Sequence, residues 1–166
     1  MILAFGDSLT NGFGVDAHSS YPSQMQKKTG LDALNAGVDG EFSSEGLARL
    51  GIFLEHKPDL VILCHGANDI VNQFSTKELK NNLLEMIKQI KRSGANVLLV
   101  GVPDYNLPSF MTHKIYTEIA QETDILFEDD VLTHIGLNNS LKNDYVHPNE
   151  KGYELMADAF IDILKS

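Results

Sequence analysis

Tryptophan is absent from these 166 residues, cysteine occurs once and proline five times. A single cysteine excludes an internal disulfide, so the fold must be held by its core, which a chain of this length can bury. That residue, Cys64, lies in an apolar run and reads as a core thiol rather than a nucleophile. Positive charge is scarce too: 13 Lys and Arg stand against 23 Asp and Glu, a formal net charge of −10. Such a surface repels phosphates, which argues against nucleic acid as a partner and against tight binding to an anionic membrane. No apolar stretch approaches the roughly 20 residues that cross a bilayer. Met1 to Phe5 is too short for a signal peptide, so the chain is expected to be cytoplasmic, or the mature form of an exported protein. There is no internal repeat, low-complexity tract or Pro/Gly-rich linker, and one domain over residues 1–166 is expected.

What is present is an alternation of apolar runs with amphipathic stretches, the rhythm of an α/β fold with a mainly parallel sheet. About five strands are expected, over Ile2–Phe5, Ala33–Ala36, Leu60–Cys64, Val97–Val102 and Ile125–Phe127. Ala33–Ala36 has only Leu34 as a strongly apolar residue and rests on its context. Ser75-Thr76-Lys77-Glu78 is a capping box, followed by Leu79, Leu83, Met86, Ile87 and Ile90 at helical spacing and a stop at Ser93-Gly94. A helix after Pro148 presents Tyr153, Met156, Phe160, Ile163 and Leu164 on one face, and a third is expected between Ser43 and His56.

Parallel sheets bind ligands beyond the carboxyl ends of their strands. Gly6-Asp7-Ser8, Gly37 to Gly40 and Gly66-Ala67-Asn68-Asp69 each follow such an end, and Asp144 to His147 precedes the last helix. These segments are expected to converge on one rim. Ser8 on a sharp turn after Gly6 is placed as a nucleophile needs to be, although Ser8 or Thr10 alone reads equally as a helix cap. Asp144 stands three residues before His147, so the carboxylate can orient the imidazole and leave its other nitrogen to take a proton from Ser8. A surface pair or half of a metal site are the other readings, but no further cluster at ligand spacing supports a metal. Asn68 can aim its amide at a developing oxyanion, or simply bond its own turn. Gly40 can bring a backbone N–H close to the same point, or be an ordinary turn glycine.

Gly-Asp-Ser-Leu near the N-terminus, a glycine after strand two, Gly-x-Asn-Asp after strand three and Asp-x-x-His near the C-terminus together resemble the SGNH hydrolases, the GDSL-type esterases and lipases. The resemblance runs from Gly6 to the helix after His147. It implies a flavodoxin-like three-layer α/β/α fold, a Ser8–His147–Asp144 triad and an oxyanion hole from the Ser8 and Gly40 N–H groups and the Asn68 side chain. It also implies a small acyl ester or thioester as substrate and no cofactor or metal. The stretch from Asn35 to Gly40 with Gly46-Leu47-Ala48-Arg49-Leu50 looks most like the small bacterial arylesterases, acyl-CoA thioesterases and lysophospholipases. Two departures stand out: Glu41-Phe42 where that branch has Asp-Thr, and His65-Gly66-Ala67 where it has a leucine and two glycines.

A carbohydrate O-acetylesterase is the alternative within the same family. A flavin or nucleotide binder is the alternative outside it, and the first loop speaks against that because it carries Asp7 and no Lys or Arg. His65 adjoins the oxyanion segment and is expected to be structural, while Asp7 and Asp69 are expected to organise loops by accepting backbone N–H groups. Pro103 to Phe110, with Tyr105, Leu107 and Phe110, is the expected mobile apolar wall, or else a packed surface loop.

Overall fold

In the computed structural model, which describes residues 1–166, the five apolar runs form five parallel strands. They are β1 (Ile2–Gly6), β2 (Ala33–Gly37), β3 (Leu60–Cys64), β4 (Asn96–Val100) and β5 (Leu126–Glu128), in the order β2-β1-β3-β4-β5. Every residue of β1 and β3 is buried, as central strands covered on both faces require. At the edge, β2 leaves Asn35 exposed and the rest mostly half-buried, which accounts for its weak apolar signal. Strand β4 begins and ends earlier than its apolar run. The Gly101 N–H still reaches the Glu128 carbonyl at 2.7 Å, but Pro103 cannot donate to a ladder and pairs instead with Thr112 outside the sheet.

Eight helices surround the sheet: α1 (Ser8–Asn11), α2 (Tyr21–Thr29), α3 (Ser43–Leu54), α4 (Ala67–Val71), α5 (Thr76–Arg92), α6 (Lys114–Thr123), α7 (Val131–Gly136) and α8 (Glu150–Lys165). Right-handed crossovers send the β1–β2 connection to one face and the later connections to the other. Accordingly α2 and α7 pack on α8, while α3 and α6 pack on α5. The result is a three-layer α/β/α sandwich. Its 41 buried hydrophobic residues form one cluster, and each fully buried Leu, Ile or Phe contributes about 1.5–3 kcal/mol relative to exposure.

The expected helix faces are mostly observed. Leu79, Leu83, Met86, Ile87 and Ile90 are all buried on α5. Only half of the capping box forms there: Ser75 Oγ accepts the Glu78 N–H at 3.2 Å, with no return bond from the Glu78 carboxylate. On α8, Tyr153, Met156 and Phe160 are buried, but Leu164 lies beyond the core edge and is exposed. The Pro103–Phe110 loop is the packed alternative. Tyr105 and Phe110 are buried, Asn106 Nδ2 donates to the Ile70 carbonyl at 2.8 Å, and the exposed tip between them, Asn106 to Ser109, carries Leu107.

The strand order reverses between β1 and β3, where the crossovers part to opposite faces. Loops diverge at such a point and leave a crevice above the carboxyl ends. Gly6 is paired with Gly37 on one side and Cys64 on the other, so three loops start from neighbouring positions.

Candidate active site

Ser8 leaves the sheet two residues after the end of β1. The cap of α1 is Asp7, whose Oδ1 accepts the Leu9 N–H at 3.0 Å, so the Ser8 hydroxyl is free of that duty. Thr10 is no cap either, since its hydroxyl meets the buried Tyr21 hydroxyl at 3.0 Å. The glycine at position 6 answers to space rather than to backbone freedom. Its φ is not positive, but a Cβ there would strike the Cys64 carbonyl and the Thr10 hydroxyl. Ser8 is 6% exposed, and its Oγ lies 2.9 Å from His147 Nε2.

Asp144 and His147 sit on a turn rather than a helix. The turn is closed by a Lys142–Pro148 bridge and by the Asn143 N–H donating to the His147 carbonyl at 2.9 Å. Asp144 Oδ1 accepts the Val146 N–H at 2.9 Å and the His147 N–H at 2.7 Å. Its Oδ2 faces His147 Nδ1 at 2.9 Å. An ionised carboxylate only accepts, so Nδ1 carries the proton and Nε2 presents its lone pair to Ser8. Partial burial pushes the Asp144 carboxyl upward, but these N–H donors and the imidazole outweigh it and hold it below the usual aspartate value.

Asn68 is the second residue of α4, and Gly40 sits on the turn before α3 with φ of 74°. Asn68 does not bond its own turn. Its Nδ2 donates to the Glu41 carbonyl at 3.0 Å, bringing the third loop onto the second. Neither the Ser8 N–H nor the Gly40 N–H makes a hydrogen bond within the chain. Asp69 ties the same loops together, accepting the Ser43 N–H and hydroxyl, both at 2.8 Å. Asp7 and Asp69 are thus the loop organisers expected of them. Asp7 is fully buried with Oδ2 unpartnered, and burial pushes its carboxyl up despite nearby histidines and N–H donors.

Three neighbours were given no role from the sequence. Phe13, 45% exposed, lies across the His147 ring with centroids 4.5 Å apart, and its carbonyl accepts the Tyr153 hydroxyl at 2.9 Å. Glu41 is buried and bonded to both His65 and Arg49. Arg49 lies in the Gly46–Leu50 stretch, and nothing in that local pattern shows its partners. His65 is structural as expected, fully buried under this pair.

No three His, Cys, Asp or Glu side chains converge as a metal site, and no helix is long and apolar enough to cross a membrane. A surface concavity of about 790 Å³ is lined by Gly14, Asp16, Asn143, Glu150 and Glu154 among others and does not include Ser8. The Ser8–His147 pair instead lies on the open rim above β1 and β3.

Residues 4–155 match the GDSL-like Lipase/Acylhydrolase family. The chain belongs to that family. An arylesterase of Vibrio mimicus is 31% identical over 168 residues, covering 95% of this chain and 84% of the relative. The Thioesterase 1/protease 1/lysophospholipase L1 of Escherichia coli K12 is 27% identical and covers 95% and 79%. Among solved structures, the psychrotrophic esterase EstA of Pseudoalteromonas sp., inhibited by monoethylphosphonate, superposes with a TM-score of 0.87 at 28% identity, covering 99% of this chain and 96% of that one. Like these GDSL relatives, the chain is a carboxylic ester hydrolase.

Proposed function

We propose that residues 1–166 act as one serine esterase domain working through an acyl-enzyme, with Ser8 as nucleophile, His147 as general base and acid, and Asp144 orienting His147. The observation that carries this reading is the unbroken line from Ser8 Oγ to His147 Nε2 at 2.9 Å and from His147 Nδ1 to Asp144 Oδ2 at 2.9 Å. Ser8 Oγ attacks the ester carbonyl carbon while its proton passes to Nε2. The carbonyl oxygen, now negative, is received by the free Ser8 and Gly40 N–H groups and the second hydrogen of the Asn68 amide. Each such donor supports the transition state by about 2.7–4 kcal/mol. The bond to the leaving oxygen or sulfur breaks as His147 returns the proton to it. Water then repeats the sequence on the acyl-enzyme, releasing the acid and restoring Ser8.

The acyl or aryl group lies against apolar side chains bordering this rim. Phe42 follows Gly40 by two residues and stacks on Phe74 at 4.7 Å. Val71, Phe74 and Leu107 expose about half of their surface beside α4. That exposed apolar surface, and the names of the arylesterase and thioesterase relatives, favour hydrophobic acyl or aryl esters and thioesters over acetylated sugars. A flavin or nucleotide reading gains nothing, because the Asp7 carboxylate already takes the Leu9 N–H at the start of α1. Hydrolysis of p-nitrophenyl esters from C2 to C12 and of the matching thioesters tests this reading. Activity persisting beyond C4 and vanishing in Ser8→Ala supports it. Activity confined to acetyl esters points to a sugar deacetylase, and a fully active Ser8→Ala variant removes the mechanism.

A further inference from the structure

The two segments that depart from the motifs of the branch this sequence resembles, Glu41-Phe42 and His65-Gly66-Ala67, touch each other. His65 Nε2 meets Glu41 Oε2 at 2.9 Å, and Arg49 Nη2 reaches the same oxygen at 2.8 Å while Arg49 Nε holds the other. A carboxylate only accepts, so His65 donates from Nε2, while its buried Nδ1 has no hydrogen-bond partner. Arg49 also donates to the Ala36 carbonyl at 2.7 Å and the Gly6 carbonyl at 3.2 Å, at the ends of β2 and β1. Its guanidinium lies 4.2 Å from the Phe5 ring centroid. The Glu41 carboxylate is therefore fastened to the sheet itself, and its two partners outweigh burial and hold it ionised below the usual glutamate value.

What Glu41 fastens is the neighbouring backbone. Its carbonyl takes one hydrogen of the Asn68 amide at 3.0 Å, which fixes the amide plane and leaves the second hydrogen free. A Cβ on Gly40 would meet nothing within 4 Å and its N–H is unbonded, so Gly40 is held through its two neighbours. Asp39 accepts from Asn11 Nδ2 at 3.0 Å, and the Glu41 N–H donates to the Val38 carbonyl at 3.3 Å while its side chain is clamped. We propose that Glu41 is a positioning residue: clamped by Arg49 and His65, it holds the Gly40 N–H and the Asn68 amide in the orientation that receives the oxyanion. This rests on the assignment of Gly40 and Asn68 as oxyanion donors given above. Gly46 leaves room for the clamp, since a Cβ there would come within 2.5 Å of His65 Nε2.

A double-mutant cycle of Glu41→Gln and Asn68→Ala separates this role from a merely structural one. Activity is read as kcat and KM on p-nitrophenyl butyrate, with thermal melting alongside. Glu41→Gln is expected to lower kcat about tenfold with KM changed less than about twofold, a partial loss of what one oxyanion donor supplies. In the Asn68→Ala background the same substitution has a clearly smaller effect, because one of the two groups it positions is gone. An unchanged kcat in Glu41→Gln, or an equal loss in both backgrounds, overturns the proposal. An Asn68→Ala variant as active as the parent overturns the donor assignment beneath it, a distinguishable result. Should Glu41→Gln not fold, Arg49→Lys is carried through the same cycle with the same outcomes, since it keeps the charge but loses the fork.

Discussion

Asp144 receives both the backbone N–H and the ring Nδ1–H of His147, at 2.7 Å and 2.9 Å. One carboxylate thus folds the turn and selects the tautomer. In Asp144→Asn the amide oxygen can keep the backbone bonds, but an amide N–H turned to Nδ1 moves the imidazole proton to Nε2, where it cannot accept from Ser8. Kcat is expected to fall about 10⁴-fold, with melting lowered at neutral pH by the loss of the ionised carboxylate's contribution. Because the folded carboxyl lies below the usual 3.8, its contribution to stability is complete above that pH and is lost as the pH falls through the lowered value. Parent-like turnover in Asp144→Asn would contradict the assigned role.

Gly40 separates backbone cost from catalytic cost. An alanine Cβ meets nothing within 4 Å, so the penalty is that of a left-handed residue, about 1–2 kcal/mol. Melting of Gly40→Ala should drop by roughly 2–8 °C. The N–H stays in Gly40→Ala, but relaxation of the alanine out of the left-handed conformation turns it away from the oxyanion, so kcat is expected to fall beyond what stability explains, up to about 10²-fold. A lowered melting point with intact kcat contradicts this expectation.

Asp7 carries an unpartnered buried oxygen and a raised carboxyl. A raised folded value means that its contribution is present below 3.8 and is lost as the pH rises through the raised value. Asp7→Asn keeps an acceptor for Leu9 N–H and removes the buried charge. Its melting point relative to the parent is expected to improve as the pH rises from 3.8 through the raised value and then to level off, other carboxylates cancelling in the difference. A pH-independent difference would contradict the burial argument.

The meeting of Ser8, His147 and Asp144 on one rim was legible because they lie in short local patterns whose order along the chain is distinctive: Ser8 beside Gly6 near the start, and Asp144 three residues from His147 near the end. β1 and β3 were legible as continuous apolar runs because both of their faces are covered. The helix α2 was not, since only Tyr21 and Met25 mark its inner face before the polar Gln26-Lys27-Lys28-Thr29. Tyr105 and Phe110 looked like a wall for substrate because local composition does not reveal which side of a loop is packed. Most hidden was the Glu41–Arg49–His65 clamp. Its members are eight to 24 residues apart, and only the pairing of β1 with β2 and β3 brings them together.

The most direct test of the nucleophile is phosphonylation. The protein is treated with a p-nitrophenyl alkylphosphonate and its peptides are read by mass spectrometry while residual esterase activity is followed. One equivalent of phosphonate should appear on Ser8, in step with the loss of activity, and none on Ser8→Ala. Label on another residue with Ser8 unmodified, accompanied by loss of activity, would contradict the account.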